Sequence, residues 1–342
     1  MKQSLIYFTS IFIIAFLSVH CTSENENYIY VASWNLENLF DTIDDPEKND
    51  EEFMPDGRRG WTESRLDNKL DSLAKVIQFM NTGKGPDLLG VQEVEHERLL
   101  GGLISKFEIE KNYGIVYEES LDRRGIDNGL IYNSDLFEVI SQDKIEVKLE
   151  SGYPTRYILE AELVCRDRDT IIVYVNHWPS RSGGQEKSEP NRIKAAEILR
   201  AVIDSVLTEN INANIIVLGD FNDEPVDISL AEVLKAEKEI DTNKVLTENL
   251  YNLSYHLYQK GEGTYLYQGD WNMLDQIIVS GNLLLEGGLN YVTESFEIIK
   301  PDYTVTKEGK YEGASIPTYG GRNYLGGFSD HYSVGIKLLI VN

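Results

Sequence analysis

Gly219-Asp220-Phe221-Asn222 closes the apolar run Ile215-Ile216-Val217-Leu218, so a β-branched segment delivers a carboxylate and a carboxamide two positions apart. Residues i and i+2 of an extended chain share a side, which lets Asp220 and Asn222 address one substrate atom. A single Asp at a strand end is more often an Asx turn than a catalytic group. Here, however, the pattern recurs. Trp34-Asn35 follows the run 28–33, Gln92-Glu93 follows 88–91, and Asn176-His177 follows 171–175 before Trp178-Pro179. Asp275 instead opens the run 276–279, and Ser329-Asp330-His331 opens 332–340. Carboxylates, amides and imidazoles gathered at one point suit water activation and the stabilisation of phosphate charge.

The elements that carry these groups must meet at one site. Strands with the polar group at the C-terminal end run toward it, and strands with the group at the N-terminal end run away. Mixed or antiparallel sheets follow. A purely parallel doubly wound sheet collects its ligands at C-terminal strand ends only, and no glycine-rich phosphate loop of that kind is present. Two amphipathic helices are expected to pack on the sheets: 65–80, with Leu66, Leu70, Leu73, Val76 and Ile77 on one face, and 192–207, preceded by Pro190. No internal repeat and no Pro- or Ser-rich linker divides the 342 residues.

Taken in order, Trp34-Asn35, Gln92-Glu93, Asn176-His177, Gly219-Asp220-Phe221-Asn222, Asp275 and Ser329-Asp330-His331 resemble the endonuclease/exonuclease/phosphatase superfamily. The resemblance implies an α/β (α+β) fold, a four-layer sandwich of two packed mixed β-sheets flanked by helices. It implies a Mg²⁺-dependent phosphoesterase, with Mn²⁺ as a substitute. By the family pattern Glu93 is the main metal ligand, with Asn35 and Asp330 near the metal or its waters. Asp220 would orient and deprotonate the attacking water, and Asn222 would fix that water or a phosphate oxygen. His331 would pair with Asp275 and meet phosphate charge as an imidazolium, and His177 would approach from the other side. Asn35 would also reach the substrate phosphate.

Other chemistries fit less well. Hydrolytic zinc usually takes three protein ligands, commonly with two His, and no HExxH helix exists. A Ser329-based triad lacks the Gly-x-Ser-x-Gly elbow. Glycoside hydrolysis needs neither the His pair nor the strand-end amides.

Residues 1–20 read as a signal peptide, because Lys2 precedes an apolar stretch too short for a confident span. Cys21 resembles the acylated cysteine of a bacterial lipoprotein, although His20 departs from the small residue expected before it. Residues 21–28 would then be a polar tether, and 29–342 one catalytic domain, monomeric and anchored to a Gram-negative envelope on its periplasmic face or at the cell surface. Cys165 is expected to be plain core.

The net charge of −25 repels nucleic acid at long range, so DNA is admitted as a substrate but not as a tightly held partner. Arg156 and Arg181 flank the motifs and are the candidates to hold a substrate phosphate. The aromatic stretch 264–271 suits stacking on bases or sugars, or simple loop packing. The loops 41–60 and 300–328 are expected at the rim. Endonuclease-like phosphodiester cleavage is the first expectation, and a phosphatase, sphingomyelinase or inositol-phosphate activity of the same fold the second. A non-catalytic surface lipoprotein that captures phosphorylated ligands is the reading from another class.

Overall fold

The computed structural model describes residues 27–341 apart from 167 and 242; the leader and Cys21 lie outside the described residues. The chain opens with β1 (Tyr28–Leu39), α1 (Glu63–Gly83), β2 (Leu88–Val94), α2 (Glu97–Ile104), β3 (Tyr113–Tyr117) and β4 (Asp127–Asn133). It continues through β5 (Phe137–Ile145), β6 (Ile158–Cys165), β7 (Asp169–His177), α3 (Gln185–Glu209) and β8 (Asn214–Asp220). Short elements follow: β9 (Ala236–Glu237), β10 (Leu250–Asn252), α4 (Tyr255–Tyr258), β11 (Tyr265–Tyr267) and β12 (Asp270–Asn272). The last are β13 (Asp275–Ser280), β14 (Leu289–Tyr291), β15 (Glu297–Ile299), β16 (Tyr319–Gly320), β17 (Asn323–Tyr324) and β18 (Ser333–Ile340).

Two seven-stranded sheets form, one ordered β14-β18-β1-β2-β4-β3 with β15 also on β18, the other β5-β6-β7-β8-β13-β10-β9. Pairs β1–β2, β7–β8 and β9–β10 are parallel, and the rest of each sheet is antiparallel. Mixed sheets are what the two kinds of polar strand end require.

The apolar runs sort their side chains by strand alternation. In β8, Ile216 and Leu218 enter the core between the sheets, while Ile215 and Val217 face the layer covered by α3. Such a continuous run has both faces buried. The inter-sheet core also takes Val31, Leu88, Val173, Ile277 and Val334. On the outside of the first sheet, Leu70, Leu73 and Ile77 of α1 and Leu100 of α2 cluster with Trp34, Leu89 and Val91. Ala195, Leu199 and Ile203 of α3 cover the second sheet against Tyr174 and Ile278. Helix, sheet, sheet and helix make four layers, with about 1.5–3 kcal/mol gained for each large aliphatic side chain fully buried. Gly90 sets the approach of the sheets: a Cβ there would sit 2.1 Å from Leu218 Cδ1. Cys165 is buried in β6, as expected of a core residue.

Two helix bounds differ from expectation. In α1, Met80, Asn81 and Thr82 leave helical geometry, so the regular helix stops at Phe79. α3 starts at Gln185 and contains Pro190 instead of following it. Pro190 is the sixth residue of α3 and has no N–H, so the helix forgoes there the bond to the Glu186 carbonyl.

Candidate active site

Sheet register brings the polar strand ends into one row. His177 of β7 pairs with Asp220 of β8, and Asp220 pairs with Asp275 of β13. From the facing sheet, Asn35 of β1 stands opposite Gln92 of β2, next to Glu93, and His331 lies two residues before β18. Backbone irregularities aim these groups. The β2–β4 register shifts between Gln92 and Val94, and Glu93 there has φ 64°. Bulges of this kind re-aim side chains beside active sites. Glu37 and Asn38, both at φ 53°, bend the end of β1, and Asn222 has φ 51°. Gly219 has φ +139°, and a Cβ on it would lie 1.9 Å from the Asn176 carbonyl oxygen.

The side chains form a connected set. Asp275 Oδ2 and His331 Nδ1 are 2.7 Å apart, and His331 Nε2 lies 3.9 Å from Asp220 Oδ2. Asp220 Oδ2 accepts from Asn35 Nδ2 at 3.0 Å, and Oδ1 accepts the Asn222 N–H at 2.9 Å. His177 Nε2 sits 3.7 Å from Asp220 Oδ2 and 3.8 Å from Glu93 Oε1. Asn222 Nδ2 donates to the Trp178 carbonyl at 3.0 Å, which fixes the turn but occupies the amide. Ser329 Oγ donates to the Asn35 carbonyl at 2.6 Å, a positioning bond and not the geometry of a nucleophile.

Environment separates the two histidines. Burial lowers the pKa of His331, but Asp275 and Asp220 outweigh it and hold the ring well above its ordinary value, as an imidazolium. For His177, burial together with Arg156 and Arg124 pushes the pKa well down, so that ring is neutral. With Nδ1 buried and without a hydrogen-bond partner among the described residues, and two carboxylates facing Nε2, its hydrogen belongs on Nε2. Burial raises the Asp220 pKa; His331 opposes the rise, Asp275 adds to it, and the Asn222 and Asn35 hydrogen bonds lower it.

A sequence model of the endonuclease/exonuclease/phosphatase family matches residues 30–339. The chain belongs to this family. Solved structures agree on the fold of this endonuclease/exonuclease/phosphatase protein. A mannosyl-6-phosphatase from Bacteroides thetaiotaomicron is 15% identical, with a TM-score of 0.57 over 91% of this chain and 100% of its own. The human Nocturnin catalytic domain with bound sulfate is 19% identical, with a TM-score of 0.52 over 92% and 95%. Truncated TDP2 from Caenorhabditis elegans is 16% identical, with a TM-score of 0.55 over 91% and 98%. No curated protein matches the chain.

Members of this family generally depend on a divalent metal, and the oxygen donors here fit a hard cation. Burial pushes the Asp330 carboxyl up to about 7, with the Glu37 and Glu93 charges adding to the rise. Carboxylates crowded in this way gain most from a bound cation. Two members of the group were not singled out from sequence. Glu37 is buried and accepts the Thr318 N–H at 2.6 Å. Lys69, only 1% exposed, donates to Thr318 Oγ1 at 2.7 Å and to the Phe328 carbonyl at 2.6 Å, with Nζ 3.9 Å from Glu37. Lys69 lies three residues after Leu66 and four before Leu73, beside the buried face of α1, a spacing that sets its side but not its burial.

The two arginines singled out for phosphate are engaged by protein. Arg156 is buried and donates to the Trp178 carbonyl at 2.7 Å, with Asp122 Oδ2 3.4 Å from its Nη1. Arg181 donates to the Asn222 carbonyl at 2.7 Å and to Asn272 Oδ1 at 2.9 Å, with Asp227 at 3.2 Å. It braces the Asp220–Asn222 turn. Arg124, whose side chain is 48% exposed, is the more available cation near His177. In the 264–271 stretch, Tyr265 stacks on His331 with ring centroids 4.7 Å apart. The expected rim loops meet at a cavity of about 220 Å³, whose lining includes Glu37, Phe53, Arg59, Thr318, Tyr319 and Asp330.

Proposed function

We propose that the protein is a Mg²⁺-dependent phosphoesterase acting on a small phosphate ester. The observation that carries this reading is the chain Asp275–His331–Asp220–Asn35, with His177 beside Asp220. Asp220 keeps free lone pairs on both oxygens, and at its ionised carboxylate it takes the proton of the attacking water. Asn35 and the Asn222 N–H hold that carboxylate in place. His331, kept charged and oriented by Asp275, donates from Nε2 to a phosphate oxygen, while neutral His177 donates from its own Nε2. Glu93, Asp330 and Asn35 would hold Mg²⁺, which supplies charge neutralisation at the phosphoryl group and the leaving oxygen.

A small substrate is favoured by the net charge of −25 and by the engagement of Arg156 and Arg181 within the protein. Endonuclease-like cleavage, first on sequence grounds, therefore ranks second. One observation supports it: Tyr267 is exposed and stacks on Tyr265 at 6.3 Å, a surface on which a base could stack. Incubation of the full chain with Mg²⁺ on nitrophenyl phosphate, bis-nitrophenyl phosphate, sugar phosphates, inositol phosphates, a sphingolipid and plasmid DNA separates these readings. Chelator-sensitive turnover of a small ester without plasmid nicking is the expected result. No turnover on any substrate would sink the enzymatic reading.

A further inference from the structure

A second group of donor side chains assembles just past the end of the β1–β2 pairing, where Leu39 stands opposite Val94. Ligand atoms of Asp41, Glu95 and His96 lie within 4.8 Å of one another. Glu95 is 1% exposed, and its Oε2 accepts the Asp41 N–H at 2.7 Å. Its Oε1 has no hydrogen-bond partner among the described residues. A buried carboxylate oxygen left in this way is costly unless a cation or donor meets it. Asp41 is buried as well; Oδ1 accepts the Ile43 N–H at 2.6 Å, and Oδ2 pairs with the half-exposed Arg98, which a bound cation would have to displace.

His96 supplies the feature that distinguishes this group from a plain acidic cluster. Its Nδ1 bonds Glu119 Oε1 at 2.8 Å, which leaves Nε2 for another partner. A carboxylate on the ring nitrogen that does not ligate is the outer partner that metal-bound histidines usually have, and it fixes the tautomer that ligates.

We propose that Asp41, Glu95 and His96 form a second metal site, separate from the phosphoester centre, that takes a zinc-like divalent cation. One imidazole nitrogen with two carboxylates matches the donors of Zn²⁺, whereas Mg²⁺ and Ca²⁺ prefer oxygen alone. The cation would join the chain after β1 to the start of α2. That chain leads into Phe53 and Arg59, which line the cavity beside Asp330, so the site would hold one wall of that cavity in place.

The test is zinc retention by the full chain, stripped with chelator and then dialysed against zinc in excess Mg²⁺, with bound metal measured by mass spectrometry. Stoichiometric zinc is expected in the wild type and in Glu93→Gln/Asp220→Asn, where the phosphoester centre is disabled. His96→Ala should lose it, and Glu119→Gln should bind about 10- to 100-fold more weakly. Circular dichroism of the metal-free proteins checks folding, and Glu95→Gln replaces His96→Ala if that variant does not fold. The proposal is overturned if the wild type retains no zinc, if His96→Ala or Glu95→Gln retains it fully, or if the Glu93→Gln/Asp220→Asn variant loses it.

Discussion

Asp275 Oδ2 bonds His331 Nδ1 at 2.7 Å and helps set the charge of the ring proposed to meet phosphate. Asp275→Asn keeps the shape but removes the largest of the influences that hold the His331 pKa up. The proposed mechanism requires Asp220 ionised and His331 charged. Activity should therefore fall on the acid side as pH drops through the raised Asp220 pKa, and on the alkaline side as pH climbs through the raised His331 pKa. In Asp275→Asn the alkaline limb should move to lower pH, with kcat reduced about 10²- to 10⁴-fold. An unmoved limb in the pH–rate profile would show that His331 is not the group reported there. Arg124 belongs to the same scale. If it meets the incoming phosphate, Arg124→Ala raises KM several-fold with kcat nearly unchanged, and steady-state kinetics that show the reverse split place it elsewhere.

At the scale of elements, the β7–β8–β13 row depends on Gly219, where a side chain would collide with the Asn176 carbonyl. Gly219→Ala should cost about 1–3 kcal/mol in denaturant unfolding and lower kcat as well, since Asp220 follows directly. A variant of full stability and activity would mean that the strand end tolerates the shift. The apolar runs made this row legible in advance: strand periodicity gave the positions of Asp220, His177 and Asp275, and the opposite placement of polar ends required mixed sheets. The bulge at Glu93 and the bends at Glu37 and Asn38 were not legible, because no local residue pattern marks a non-glycine residue at positive φ. Lys69 was hidden for a different reason. A lysine beside an apolar stripe reads as snorkelling to solvent, and only the fold shows that Thr318 and Phe328 close over it. The engagement of Arg156 and Arg181 likewise depends on Trp178, Asn222 and Asp227, partners that sequence spacing does not connect to them.

The whole molecule is an acidic sandwich whose site collects further negative charge. Folding raises the Asp330 carboxyl from 3.8 to about 7, so the folded protein binds that proton more tightly than the unfolded chain. This group's contribution to stability is therefore full below about pH 4 and lost as pH rises to about 7. A cation at Glu93 and Asp330 needs the ionised form. Mg²⁺ should raise the melting temperature more at pH 8 than at pH 6, and calorimetry that shows equal shifts would exclude Asp330 from the metal site. Among the described residues no helix is long and apolar enough to cross a membrane. The lipid anchor proposed from sequence lies at Cys21, outside the described residues, and Cys21→Ala should move the protein from the membrane to the soluble fraction of expressing cells. The central claim is that Asp220 activates water in a metal-assisted phosphoester hydrolysis. Its most direct test is kcat/KM of Asp220→Asn against wild type, in Mg²⁺, on the best small ester found. A loss of about 10²- to 10⁴-fold with an unchanged melting temperature is the predicted result, and wild-type turnover by Asp220→Asn would contradict the account.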